Sequence, residues 1–135
     1  MATFLVGWWM QACFKHPKVY ADLVALYGLY WPIHQGLPKG FRYTSGEQIL
    51  RELTLCIRAV TRANFSDKQC PQSRRAAAQG LLEVRTSLEV IRGLCTLAWQ
   101  LKWLSHGGLA LLCDRLDQLG RQTTGWQQWF EDGAG

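Results

Sequence analysis

The side chains best suited to chemistry in this sequence are arginines, and the chemistry they suit is the binding of anions. Arg51, Arg58 and Arg62 stand seven and four residues apart, spacings that return to one face of an α-helix. Arg74, Arg85 and Arg92, separated by eleven and seven with Arg75 alongside, repeat the pattern further along the chain. A guanidinium is a planar fork of donors that grips phosphate bidentately and stacks on bases, and each neutralised phosphate adds salt-sensitive affinity. Two such stripes on neighbouring helices suit RNA or DNA. Solvated helix faces, partly neutralised by Glu47, Glu52, Glu83 and Glu89, account for the same residues without a ligand, so the charge pattern leaves both readings open. Lys39 and Arg42, beside Phe41 and Tyr43, add two cations in the loop that precedes the first stripe.

Bond-making chemistry has no comparable pattern. His16, His34 and His106 are widely separated, and the five cysteines (Cys13, Cys56, Cys70, Cys95, Cys113) form no Cys-x-x-Cys pair, so no metal site is expected. There is no phosphate-cradling glycine motif, paired catalytic carboxylate or nucleophile elbow, and the expectation is a non-enzymatic protein without a cofactor. Trp99 and Trp103 bracket Lys102, a set that could stack bases and hold phosphate or fill a subunit interface or the bundle edge. Trp126 and Trp129 fit the second use. Fifteen Lys and Arg against ten Asp and Glu give a net charge of +5, which favours polyanions or acidic surfaces as partners. Unpaired cysteines suit a reducing cytoplasm. The apolar run 4–14 is too short to span a bilayer and has no cation before it, so neither a membrane span nor export is expected.

The elements that must carry these residues are helical. Tyr20, Leu23, Tyr27 and Tyr30 recur at helical spacing, followed by Pro32, which should end or kink the helix near Trp31. In Leu37-Pro38-Lys39-Gly40-Phe41-Arg42-Tyr43-Thr44-Ser45-Gly46-Glu47, Thr44 and Glu47 have the spacing of a capping box, which predicts a helix start at Thr44. Gly46, Ile49, Leu53, Cys56, Val60 and Ala63 form one seam; Ala77, Leu81, Val84, Leu88, Ile91, Cys95 and Ala98 form the next; Leu109, Leu112, Leu116, Leu119, Thr123 and Trp126 form a third. No period-two strand pattern occurs. The prediction is an all-α, antiparallel, up-down-up-down four-helix bundle over 17–128, with helices at 18–36, 45–64, 70–104 and 107–125. An apolar arm, 1–16, precedes it and a tail, 129–135, follows it. Leu94, Leu97, Leu101 and Leu104 widen the apolar face of the third helix, which predicts a further contact between subunits.

Two segments carry a family resemblance. The stretch from Leu37 to Ile49, with its Pro-Lys, basic-aromatic-Thr step and Gly, and the stretch Leu119-Gly120-Arg121-Gln122-Thr123-Thr124-Gly125-Trp126 resemble the accessory variability determinant (Avd) family of diversity-generating retroelements. That family sits within the wider four-helix-bundle family of ribosomal-RNA intervening-sequence proteins. The likeness covers residues 19 to 128 approximately and departs from the family in the Trp-rich 4–14, in Pro32 and in Thr123-Thr124. It implies a bundle assembling as a pentameric barrel with a positive surface, and a partner reverse transcriptase and template RNA or DNA. The implied role is accessory, in error-prone cDNA synthesis and retrohoming. Lys39 and Arg42 carry over as binding residues by motif; the remaining arginines rest on their spacing. An intervening-sequence-type bundle with another RNA-related role, or an oligomeric protein–protein adaptor, would use the same fold.

Overall fold

The computed structural model describes residues 17–134. Among them the chain forms four long helices and no strand: α1 (Pro17–Gly36), α2 (Glu47–Phe65), α3 (Pro71–Gln100) and α4 (His106–Ala134). A short helical turn, Lys39–Phe41, and a π-helical turn, Arg42–Gly46, lead directly into α2. The all-α class and the bundle are as the seams predict, while the expected apolar arm lies outside the described residues.

Each seam is buried as a unit. Ile49, Leu53, Cys56, Val60 and Ala63 of α2 meet Ala77, Leu81, Val84, Leu88, Ile91, Cys95 and Ala98 of α3, with Leu112, Leu116, Leu119, Thr123 and Trp126 of α4 completing the same core. Steps of three and four place these side chains in a stripe that packs only if all helices present it inward. On α1 the inward stripe is Val19, Leu23, Leu26 and Tyr30, a correction to the expected tyrosine-led face. Tyr20 and Tyr27 sit half-buried at its flanks, where a phenol can bury its ring and keep its hydroxyl near water. The start of α3 lies against the end of α4, where Arg74 donates to the Phe130 carbonyl at 3.1 Å, and further along Arg92 meets Asp117.

Three boundaries differ from the sequence expectation. Thr44 caps nothing: its hydroxyl donates to Gly40 O at 2.7 Å and to Phe41 O at 3.3 Å. The helix starts earlier because Pro38, at φ −57° and ψ 145°, is already the extended residue from which a helical turn can begin. The Gly46 backbone then packs under the buried His34 ring, so closely that a Cβ there would come within 2.9 Å of His34 Cε1. α1, by contrast, ends at Gly36 as expected, running on through Pro32. Pro32 and Gly28 both face solvent, so the Gly28 carbonyl that loses its donor can turn to water.

α3 stops at Gln100, before the predicted 104. Lys102 N–H bonds Trp99 O and Trp103 N–H bonds Ala98 O, with Lys102 at φ 65°, the left-handed turn that closes a helix C-terminus. α4 opens on Ser105, whose Oγ accepts the Gly108 N–H at 3.0 Å, an N-cap bond. It does not end at 125, and residues 129–134 are no tail. A mid-helix glycine costs about 1 kcal/mol, whereas burying the Phe130 side chain, which is 0% exposed, contributes about 2–3 kcal/mol.

Candidate nucleic-acid interface

The fold does not align the predicted arginines into one surface. Arg58 and Arg62, both exposed, line a groove of about 550 Å³ between α2 and α3, floored by Ala59, Ala63, Ala77 and Gly80 with Glu83 on the opposite rim. Among the described residues no carboxylate lies within ion-pair reach of either guanidinium. Arg51, about two turns before Arg58 and three before Arg62, is exposed and donates to Gln48 Oε1 at 2.7 Å.

Arg85 and Arg92 line a different groove, of about 530 Å³, between α3 and α4. Gly80 and Arg85 are five residues apart, which at about 100° per residue puts the two grooves on opposite sides of α3. Arg92 is held there between Asp117 Oδ1 at 2.5 Å and Glu89 Oε2 at 3.3 Å. Partial burial works against its charge, but the Asp117 hydrogen bond and the two carboxylates outweigh that and raise its pKa. Arg85 donates to Gln127 Oε1 at 3.1 Å. Arg121 faces the same groove beside Gly120 and Gly125, so the glycine-arginine segment of α4 contributes an exposed cation that the spacing argument missed.

Arg74 is not at the surface at all. It is buried, its Nε bonded to Phe130 O and its Nη1 to Lys68 O at 3.0 Å, while Nη2 donates to Trp129 O. Its guanidinium also lies over the Trp129 ring at 4.1 Å. It is a structural arginine that ties the start of α3 to the last turns of α4. The signal was present in the sequence: Arg74 stands three residues before Ala77 and seven before Leu81, which is a seam position. Arg75, its neighbour, is exposed.

Lys39 is exposed on the turn before α2, and Arg42 is half-buried, donating to Gln35 O at 3.0 Å and lying 5.1 Å from the Tyr43 ring centre. Behind them, the buried His34 Nδ1 pairs with Tyr30 Oη at 3.0 Å, and Glu47 Oε1 lies 3.9 Å from His34 Nε2. Burial first, then nearby Cys95 and Glu47, push the Tyr30 phenol far above its ordinary range, so it stays neutral and the cluster acts as a rigid support. Edge contact between Phe41 and Trp103, with ring centres 5.1 Å apart, joins this turn to the α3–α4 connection.

Nothing in the described residues groups three metal ligands, and no described helix is long and apolar enough to cross a membrane. Burial pushes the Cys56 and Cys95 thiols up to about 12, so both act as apolar filler. Cys70, at the exposed start of α3, is shifted down, first by the Ser73 backbone N–H. The arrangement can hold anions and stack on flat groups. The chain matches no family model, no curated protein and no solved structure.

Proposed function

We propose that this protein is a non-enzymatic, cytoplasmic, nucleic-acid-binding accessory protein of the accessory variability determinant type. In this reading its antiparallel up-down-up-down bundle assembles as a cyclic homopentamer. The assembly binds template RNA or DNA together with a reverse transcriptase and supports mutagenic cDNA synthesis and retrohoming. The observation that carries the nucleic-acid part is the pair Arg58 and Arg62, two exposed guanidinium groups one turn apart on one groove, neither in an ion pair among the described residues. Burying small residues in the groove floor lets a backbone approach closely, and closed symmetry would repeat the pair around an axis. Lys39, Arg51 and Arg121 extend the positive surface; Arg74 and Arg92 leave the binding set because their charges are spent internally.

The test is a template-length RNA titrated by fluorescence anisotropy at about 100 mM salt. Arg58→Glu with Arg62→Glu should lower affinity by at least about tenfold while helicity and melting are retained. Unchanged affinity in a folded double variant overturns the assignment. Co-purification with a retroelement reverse transcriptase tests the partner, and a gene for one next to this gene separates the retroelement role from that of an intervening-sequence-type bundle. One observation favours a second reading, an oligomeric protein–protein adaptor. Leu82, Val90 and Leu97 form an exposed ladder on the outer face of α3, with exposed Leu101 just past its end, where helical spacing would seat another helix. RNA affinity indistinguishable from zero in a closed oligomer would select it.

A further inference from the structure

We infer that the end of the bundle built from residues 37–46 and 99–106 is a stacking platform for single-stranded nucleic acid, a proposal that rests on the nucleic-acid reading and locates bases where the α2–α3 groove locates phosphates. Three rings are presented to solvent there: Tyr43 is 63% exposed, Trp103 40% and Trp99 37%. They are held rather than loose. Trp103 is braced edge-on by Phe41 at 5.1 Å, Trp99 by His106 at 6.1 Å, and Tyr43 carries the Arg42 guanidinium at 5.1 Å. A half-exposed, laterally fixed ring offers a π-face to a base with little entropy left to lose.

Charge at this end is mainly positive, with Glu47 at its edge turned toward His34. Residues 31–46 and 93–113 contain Lys39, Arg42 and Lys102 and no Asp or Glu, so cations alternate with aromatics in the manner of a strand's alternating phosphates and bases. Lys102 is the telling member. It occupies φ 65°, the position of the helix-closing turn where glycine is the usual residue and a side chain costs about 1 kcal/mol. That turn fixes the backbone from which the exposed Lys102 side chain leaves, three residues after Trp99 and next to Trp103. A protein-binding patch of this size would be depleted of lysine at its centre, and a paired duplex has no free base face to offer the rings.

The test uses the full chain and a fluorescein-labelled 12-nucleotide single-stranded RNA, with the same sequence as a duplex for comparison. The single strand should bind about tenfold more tightly than the duplex, and Trp99→Ala should weaken the single strand by about tenfold while leaving the duplex unchanged. Trp99→Phe should restore most of the loss. Lys102→Gly should flatten the single-strand salt dependence by about 0.7 in log–log slope. Single-strand affinity within twofold of wild type for Trp99→Ala overturns the platform. So does a change in oligomer mass on light scattering without a change in RNA affinity, which would make the rings a protein contact. Binding of both RNAs that depends on Arg58 and Arg62 but not on Trp99 removes the platform alone; binding of neither RNA by the wild type removes both proposals.

Discussion

Replacing Arg74 by methionine should unfold this protein more easily without touching its ligand. The guanidinium donates to the carbonyls of Lys68, Trp129 and Phe130 and lies over the Trp129 ring. Charge-assisted hydrogen bonds are worth about 1.5–3 kcal/mol each. Their sum is offset by the several kcal/mol of taking the cation out of water. A net loss near the value of one such bond, plus about 1 kcal/mol for the cation–π contact, comes to about 3 kcal/mol. For a domain of this size that is a drop of about 12 °C in Tm. Arg74→Lys should recover only part of it, because one ammonium cannot reach carbonyls on two segments as the fork does. Circular dichroism melts give the stability, and RNA anisotropy on the same samples gives binding. A Tm within about 2 °C of wild type combined with lost RNA affinity would refute the reasoning and return Arg74 to the binding surface.

Other outcomes follow from single contacts. Gly46→Ala places a methyl about 2.9 Å from His34 Cε1 and should cost about 1–3 kcal/mol in urea denaturation, whereas Gly28→Ala, with nothing within 4 Å of the new carbon, should stabilise by about 0.5–1 kcal/mol. Lys102→Gly relieves the φ 65° backbone and should raise Tm by a few degrees, about 1 kcal/mol. The thiols of Cys56 and Cys95 sit near 12 in the fold against an ordinary 9. Raised acids contribute stability that is fully present below pH 9 and is lost as pH climbs through 12, so Tm should be flat below pH 8.5 and fall above it, less steeply in Cys56→Ala with Cys95→Ala. Alkylation with iodoacetamide at pH 8, mapped by mass spectrometry, should modify Cys70 well before Cys56 or Cys95.

The core was legible because its signal is redundant. Ile49 to Ala63 and Ala77 to Ala98 each repeat three-and-four steps over several turns, so no single residue decides the register. Boundaries depend on one or two residues and on competition between them, and there the sequence was ambiguous. Thr44 and Glu47 have capping-box spacing, but Pro38 had already started the helix, leaving the Thr44 hydroxyl to bond Gly40 O and Phe41 O within it. Gly125 looked like a terminus, yet Trp126 and Phe130 continue the seam by four and pull α4 on to Ala134. Arginine spacing says which side chains share a helix face and nothing about what the face meets. Arg58 and Arg62 meet an open groove, Arg92 meets Asp117, and Arg74 meets the end of α4.

The central claim is that Arg58 and Arg62 neutralise phosphates. Its most direct measurement is the dependence of single-stranded RNA affinity on salt for the wild type and for Arg58→Ala with Arg62→Ala. Each phosphate contact contributes about 0.7 to the log–log slope, so the double variant should bind more weakly and with a slope shallower by about 1.4. A folded double variant with the wild-type slope and affinity would contradict the account.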